Sequence, residues 1–268
     1  MIRQSPILLL PENIEAPLWR YISIAKLESL LRTGALYFRR ADLFEDPLEG
    51  KHSEPTIRFR PIMFAGAKDT WINKTMPMID ARTRRCVYVN CWHNNESESA
   101  FMWDKYAREG KAIAIKSSLN RIRNAILDRE REFLVNPVRY IDYQKEHTSD
   151  ANSFYAFFCK DKSYQDEREV RFAFIENFER VGDADFDSLS LAEGIFIPVD
   201  NDLLIERVVL SPYTKDEATG NVHNLLLGSG LGGAYSGDVV HPFQLMPSTC
   251  STACRPLVPK HVVHCSHL

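Results

Sequence analysis

Residues 164–175 constrain this chain more than any other stretch. From Glu169 onward, Val170, Phe172 and Phe174 alternate with charged or small residues. That is the period-two pattern of a strand with one apolar face. If the strand begins near Glu167, then Glu167, Glu169 and Arg171 share its other face, with the two carboxylates roughly 7 Å apart. Carboxylates so placed raise the proton affinity of at least one of them unless Arg171 or a ligand cation offsets the repulsion. Such a pair suits acid–base work or the stabilisation of a developing positive charge. The same residues also read as an exposed strand face whose charges neutralise one another.

Around this stretch the pattern predicts further strands at 18–22, 36–38, 86–92, 112–115, 138–143, 195–198 and 207–212. Helices are predicted at 24–33, 96–107, 119–133, 153–158 and 215–227, with Ser23 as an N-cap and Gly34 as a stop. Strands and helices do not alternate as regular βαβ units. The expected fold class is therefore α+β, a single domain with a mixed, mainly antiparallel central sheet flanked by helices. Residues 51–84, with Pro55, Pro61, Pro77 and Trp71, read as an irregular insertion or lid. The basic run Arg82, Arg84 and Arg85 that closes it is expected on the solvated surface. The glycines at 228–233 follow no strand, so no dinucleotide fingerprint is expected there. Residues 1–17 read as an irregular lead-in, 18–243 as the domain and 244–268 as a disordered tail. Cys250, Cys254, His261, His264, Cys265 and His267 in that tail lack a recognised ligand spacing, so no metal site is expected.

Composition narrows the function classes. The chain has 268 residues, long enough for a sizeable core, and 44% apolar and 26% charged residues. Its net charge of -3 gives no global reason to bind nucleic acid or an anionic membrane. No apolar run approaches the roughly 20 residues that span a bilayer. The start of the chain, broken by Pro6 and Pro11, does not read as a signal peptide. Cys86, Cys91 and Cys159 lie in apolar stretches and are expected to be buried free thiols, which fits a cytoplasmic setting.

Four blocks in order carry a resemblance. They are Leu18-Trp19-Arg20-Tyr21; the Phe44-x-Asp46-Pro47-x-Glu49 core within 34–50; Met102-Trp103-x-x-Tyr106-Ala107; and Tyr164-x-x-Glu167-x-Glu169-x-Arg171. Together they resemble the bacterial domain-of-unknown-function 2971 family over about residues 18–243. More weakly, the early Arg, the aromatic-rich middle strand and the late Glu-x-Glu resemble ADP-ribosyltransferases, which use NAD. That resemblance implies that Arg20 contacts the pyrophosphate or ribose, with Tyr21 and Arg171 in the same cofactor-binding set. It implies that Trp92, Trp103 or Tyr106 stacks on nicotinamide. Glu169 would hold the ribose 2′-hydroxyl and stabilise an oxocarbenium-like charge, and Glu167 would orient an acceptor, protein or nucleic acid. Where many such enzymes carry Ser-Thr-Ser, this chain carries Asn90, Cys91, Trp92 and His93.

Other readings compete residue by residue. Trp103 and Tyr106 share helical spacing with Ala100 and Ala107, as core residues do. Arg20 also reads as a partner for Glu49, and His93 as a general acid or base or as a surface histidine. The loop carrying Asp42, Asp46 and Glu49 reads as a turn or as a divalent-cation loop. Two further function classes stand beside an NAD enzyme. One is a nucleotide- or nucleic-acid-binding module using Arg39, Arg40 and Arg82 to Arg85. The other is a protein-interaction or defence-associated domain that docks through the charged strand face.

Overall fold

The central 164–175 stretch folds around one sharp reversal of the backbone. Lys162–Glu167 form a 3-10 helix, Arg168 adopts a left-handed conformation at φ 40°, and the strand begins only at Glu169. The computed structural model describes residues 2–3, 13–107, 111–150, 152, 154–214 and 216–235. In chain order the elements are β1 (Ile2–Arg3), β2 (Pro17–Ser23), α1 (Ile24–Thr33), β3 (Ala35–Arg40), α2 (Glu54–Met63), α3 (Met76–Arg84), β4 (Val87–Asn94), α4 (Ala100–Tyr106) and β5 (Ala112–Ser118). There follow α5 (Leu119–Ala125), β6 (Phe133–Pro137), β7 (Arg139–Ile141), β8 (Cys159–Asp161), β9 (Glu169–Ile175), β10 (Gly194–Pro198), α6 (Asn201–Leu204), β11 (Arg207–Leu210) and α7 (Asp216–Gly228).

Nine strands form one sheet, whose main path runs β1-β6-β9-β4-β2-β5-β11. Every pairing in it is antiparallel except β1 with β6, and β7 pairs parallel with β8 outside it. The fold is thus α+β with a mixed, mainly antiparallel sheet.

Strand β4 forks the sheet. Its first half pairs with β3 through Tyr88 and Val89, and its end pairs with β2 through His93 and Asn94. Between them the backbone is held by side chains: Arg20 Nη1 donates to Cys91 O at 3.4 Å, and Asn90 Nδ2 donates to Tyr37 O at 2.9 Å. Trp92 Nε1 completes the fork by donating to Asn90 Oδ1 at 2.7 Å.

The alternation in β9 does what its pattern requires. Val170, Phe172 and Phe174 enter the main core with Tyr88, Trp92, Phe38 and Phe133, covered by Leu27 and Leu30 of α1, Ile122 of α5 and Val222 and Leu226 of α7. Burying each such side chain stabilises the fold by about 1.5–3 kcal/mol. On the opposite face, Trp19 and Tyr21 pack under Met102 and Trp103 of α4.

Ser23 and Gly34 bound α1 as their chemistry demands. The Ser23 side chain accepts from Lys26 N, and Gly34 is left-handed at φ 57°.

Three local expectations change. The helix expected over 119–133 stops at Ala125, because Ile126 bridges Val199 and Leu127 N donates to Pro198 O. Asp128 Oδ1 then accepts from Glu130 N and Arg131 N, a local turn that competes with continued helix. Residues 51–84 are largely helical rather than irregular: α2, a π-helical turn at Trp71–Thr75 and α3. Pro55 sits in the first turn of α2, where a missing N–H costs nothing, and Pro77 falls where the π-helical turn passes into α3. The lead-in is not wholly irregular, since β1 adds a short edge strand. The short last strand that Val239-Val240 suggests in sequence and the tail 244–268, with its Cys and His residues, lie outside the described residues. Among the described residues no helix is long and apolar enough to cross a membrane.

Gly50 gives a sharp test of the packing beneath the sheet. It sits at φ 65°, and a Cβ there would stand 2.4 Å from Cε1 of the buried Phe157 ring. Gly50→Ala is expected to lower stability by about 2 kcal/mol or more, from left-handed strain plus overpacking. Urea unfolding checks this, and a loss within error would refute it.

Candidate functional site

The turn at Arg168 sets the site. Because Glu167 ends a helix and Glu169 starts a strand, their carboxylates converge instead of standing a strand repeat apart. Both bond the same ammonium: Lys160 Nζ donates to Glu167 Oε2 at 2.5 Å and to Glu169 Oε1 at 2.8 Å. The other Glu169 oxygen accepts from Arg171 Nε at 2.6 Å. Arg171, fully buried, forks onto Glu49 at 2.6 and 2.9 Å and donates to Phe157 O at 2.7 Å. Glu167 Oε1 accepts from Lys105, which is partly open to solvent at the outer end of the chain of charges. Three carboxylates therefore face three cations in one continuous network.

The two carboxyls of the Glu-x-Glu pair are driven apart in proton affinity. Burial alone would raise Glu169, but Arg171, the hydrogen bond from Glu167 and Lys160 hold it well below the ordinary range. Burial raises Glu167, and the hydrogen bond and charge of Glu169 add to that rise against Lys160 and Lys105. Burial likewise raises Glu49 despite Arg171.

An open cleft of about 450 Å³ lies at this end of β9, lined by Asn94, Asn95, Tyr140, Gln165, Arg168 and Glu169 among others. Arg168 is exposed at its rim, and its Nη1 donates to Asn95 Oδ1 at 3.0 Å. A non-glycine residue in left-handed backbone beside a cleft is a feature that clusters at functional sites. The Tyr140 hydroxyl accepts from Glu169 N at 2.8 Å, fixing the start of the strand.

The sequence candidates divide into two groups. Glu49, Glu167, Glu169 and Arg171 come together. Tyr106 is half exposed next to them, stacked on Tyr21 at 6.4 Å, with the Lys105 ammonium 5.9 Å from its ring. Tyr21 is buried, its hydroxyl accepting from Ser99 N at 2.8 Å, and burial raises its pKa. Trp103 is buried under α4, with Nε1 donating to Glu98 Oε2 at 3.0 Å. Trp92 points into the main core, on the opposite face of the sheet from Glu169. Arg20 stays with Trp92, its guanidinium 5.7 Å from that ring, and lies in the fork rather than against Glu49.

His93 is buried, not on the surface: its Nδ1 lies 2.7 Å from Glu167 O, and its Nε2 has no hydrogen-bond partner. Cys86 and Cys159 are buried free thiols, while Cys91 is only half buried. Asp46 closes its own turn by accepting from Leu48 N at 2.9 Å, and no metal-ligating cluster occurs among the described residues.

The basic run also departs from expectation. Arg82 is buried, donating to Val181 O and Asp183 O and pairing with Asp187 at 2.7 Å; Arg85 pairs with the same carboxylate. Arg39 donates to Leu43 O, and Arg40 pairs with Asp42. The cations considered for nucleic-acid binding are thus largely engaged within the fold.

Sequence reasoning missed Lys160, Lys105, Tyr140 and Arg168. Lys160 left one usable signal, a single cation closing the apolar run 156–159.

Two histidines give the fold an acid-sensitive term. Burial pushes His93 below the ordinary histidine value. Burial also lowers His52, against the pull of Asp150 and Asp80. The unfolded chain takes up these protons near pH 6.5, whereas the folded chain resists until lower pH. Stability is therefore expected to fall as pH drops through about 6.5, by up to about 1.4 kcal/mol per pH unit for each histidine. Urea titrations at stepped pH check this, with His93→Gln expected to flatten the slope; an unchanged slope in that variant would count against it.

Fold and site together define the class: an α+β domain carrying a buried network of paired carboxylates and cations beside an open cleft. No protein-family model, curated protein or solved structure matches the chain.

Proposed function

We propose that the chain is a bacterial enzyme of the 2971 family that breaks the nicotinamide–ribose bond of NAD, as an ADP-ribosyltransferase or a glycohydrolase. One observation carries this reading: Glu167 and Glu169 share Lys160 beside an open cleft, with proton affinities driven in opposite directions. Titratable neighbours pushed apart in this way mark acid–base assignments. Glu169 stays ionised and stabilises the positive charge that builds on the ribose as nicotinamide leaves with the bonding electrons. Glu167, whose pKa burial and Glu169 raise, takes the proton of the acceptor hydroxyl or water as that oxygen attacks the sugar carbon. Arg168 at the cleft rim supplies a planar donor for the pyrophosphate. Tyr106 offers an exposed ring for the nicotinamide. Arg20 and Trp92 support the sheet fork behind the site.

A second reading has its own support. Both oxygens of Glu169 already hold cations, as a structural strut beneath a docking face would. Mass spectrometry of NAD incubated with the protein separates the two. Nicotinamide release by the native chain and not by Glu169→Gln is expected. No release, together with no NAD binding by calorimetry, would return the cluster to a structural role.

A further inference from the structure

Helix α2 is turned inside out. Its buried side chains are Thr56 and Arg60, while Ile57, Phe59, Met63 and above all Ile62, 66% exposed, face outward. The inward face is polar and fully engaged. Thr56 Oγ1 donates to Thr148 O at 2.8 Å, and Arg60 pairs with Asp150 at 2.9 Å and with Asp80 at 2.7 Å. The helix cannot roll to bury its apolar residues without stranding Arg60, whose buried charge would then lack partners. The apolar surface continues past the helix: Phe64 meets Trp71 edge to face at 5.5 Å, and Trp71 and Met78 are exposed. Isolated surface hydrophobics need no explanation, but Phe59, Ile62 and Met63 lie three and four residues apart on one side of α2, and a set of this kind marks an interaction surface.

We propose that this face docks a protein partner through an acidic amphipathic segment. Charge selects that occupant. Lys51 stands three residues before the helix and Lys68 and Lys74 flank Trp71 in the chain; all three are exposed with no ion-pair partner among the described residues, while Arg58 is paired with Glu54. A second copy of the chain would bring like charges together across a two-fold axis. Residues 244–268 contain Arg255 and Lys260 and no Asp or Glu, so they are not complementary either. Met63 and Met78 supply the adaptable side chains suited to receiving a helical segment.

The test uses the intact chain and a short synthetic Leu/Glu peptide with one apolar helical face, followed by fluorescence anisotropy. A Leu/Lys twin and phosphatidylglycerol vesicles serve as comparisons. The Leu/Glu peptide is expected to bind, and the Ile62→Glu, Met63→Ser double variant to weaken it about tenfold or more. The Lys68→Glu, Lys74→Glu double variant is expected to reverse the preference towards the Leu/Lys twin. No peptide binding, equal binding of both twins, or binding to vesicles alone would overturn the proposal. Concentration-dependent dimers in analytical ultracentrifugation that the Ile62→Glu, Met63→Ser variant abolishes would overturn it in favour of self-association.

Discussion

Replacing Arg171 with Met is expected to lower the unfolding free energy by about 3–5 kcal/mol at neutral pH. The guanidinium is fully buried and holds two carboxylates, Glu49 by a two-pronged pair and Glu169 through Nε. A Met side chain approximates its length but donates nothing, so Glu49 loses the ion pair with Arg171 and Glu169 keeps only Lys160. Desolvated carboxylates in that position either stay charged at high cost or take up protons. The loss is therefore expected to shrink as pH is lowered and Glu49 is neutralised. The double variant Glu49→Leu, Arg171→Met should recover part of it, because removing both partners leaves no orphaned charge between those two positions. Urea unfolding of the single and double variants, as a thermodynamic cycle, measures the coupling. A single-variant loss below about 1 kcal/mol would show that the cluster carries no structural weight.

On the proposed chemistry, Glu169→Gln is expected to lower the rate of nicotinamide release by about 10²–10³, the loss seen when one preorganised electrostatic group is removed from a developing charge. The substitution keeps the shape of the side chain and removes its negative charge. Substrate binding away from the ribose should persist, so kcat falls far more than KM rises. Arg168→Ala separates positioning from chemistry: it is expected to raise KM with little change in kcat, since Arg168 stands at the rim and is exposed. Circular dichroism and urea midpoints on both variants distinguish lost chemistry from lost fold. Retention of native turnover by a folded Glu169→Gln variant would exclude Glu169 from catalysis.

Much of the architecture is local and so was legible in the chain. The alternation of Val170, Phe172 and Phe174 fixed β9 as a strand with its apolar side inward, and Ser23 and Gly34 fixed the ends of α1. These signals work because side-chain period and capping chemistry act within a few residues. Glu49 and Arg171 stood out as charges in ordered stretches, yet their pairing spans 122 residues and no local pattern encodes it. Tertiary structure alone decided that Arg168 turns left-handed and that Lys160 sits between both carboxylates of the Glu-x-Glu pair. It also decided that Arg20 and Trp92 fill the fork on the far side of the sheet. The same holds for α2, whose polar side faces inward because Asp80 and Asp150, both distant in sequence from Arg60, await it there. Sequence determines which side chains carry charge and which backbone periods they follow. Only the packed chain determines which charges lose their water together, because desolvation depends on neighbours brought from far along the chain.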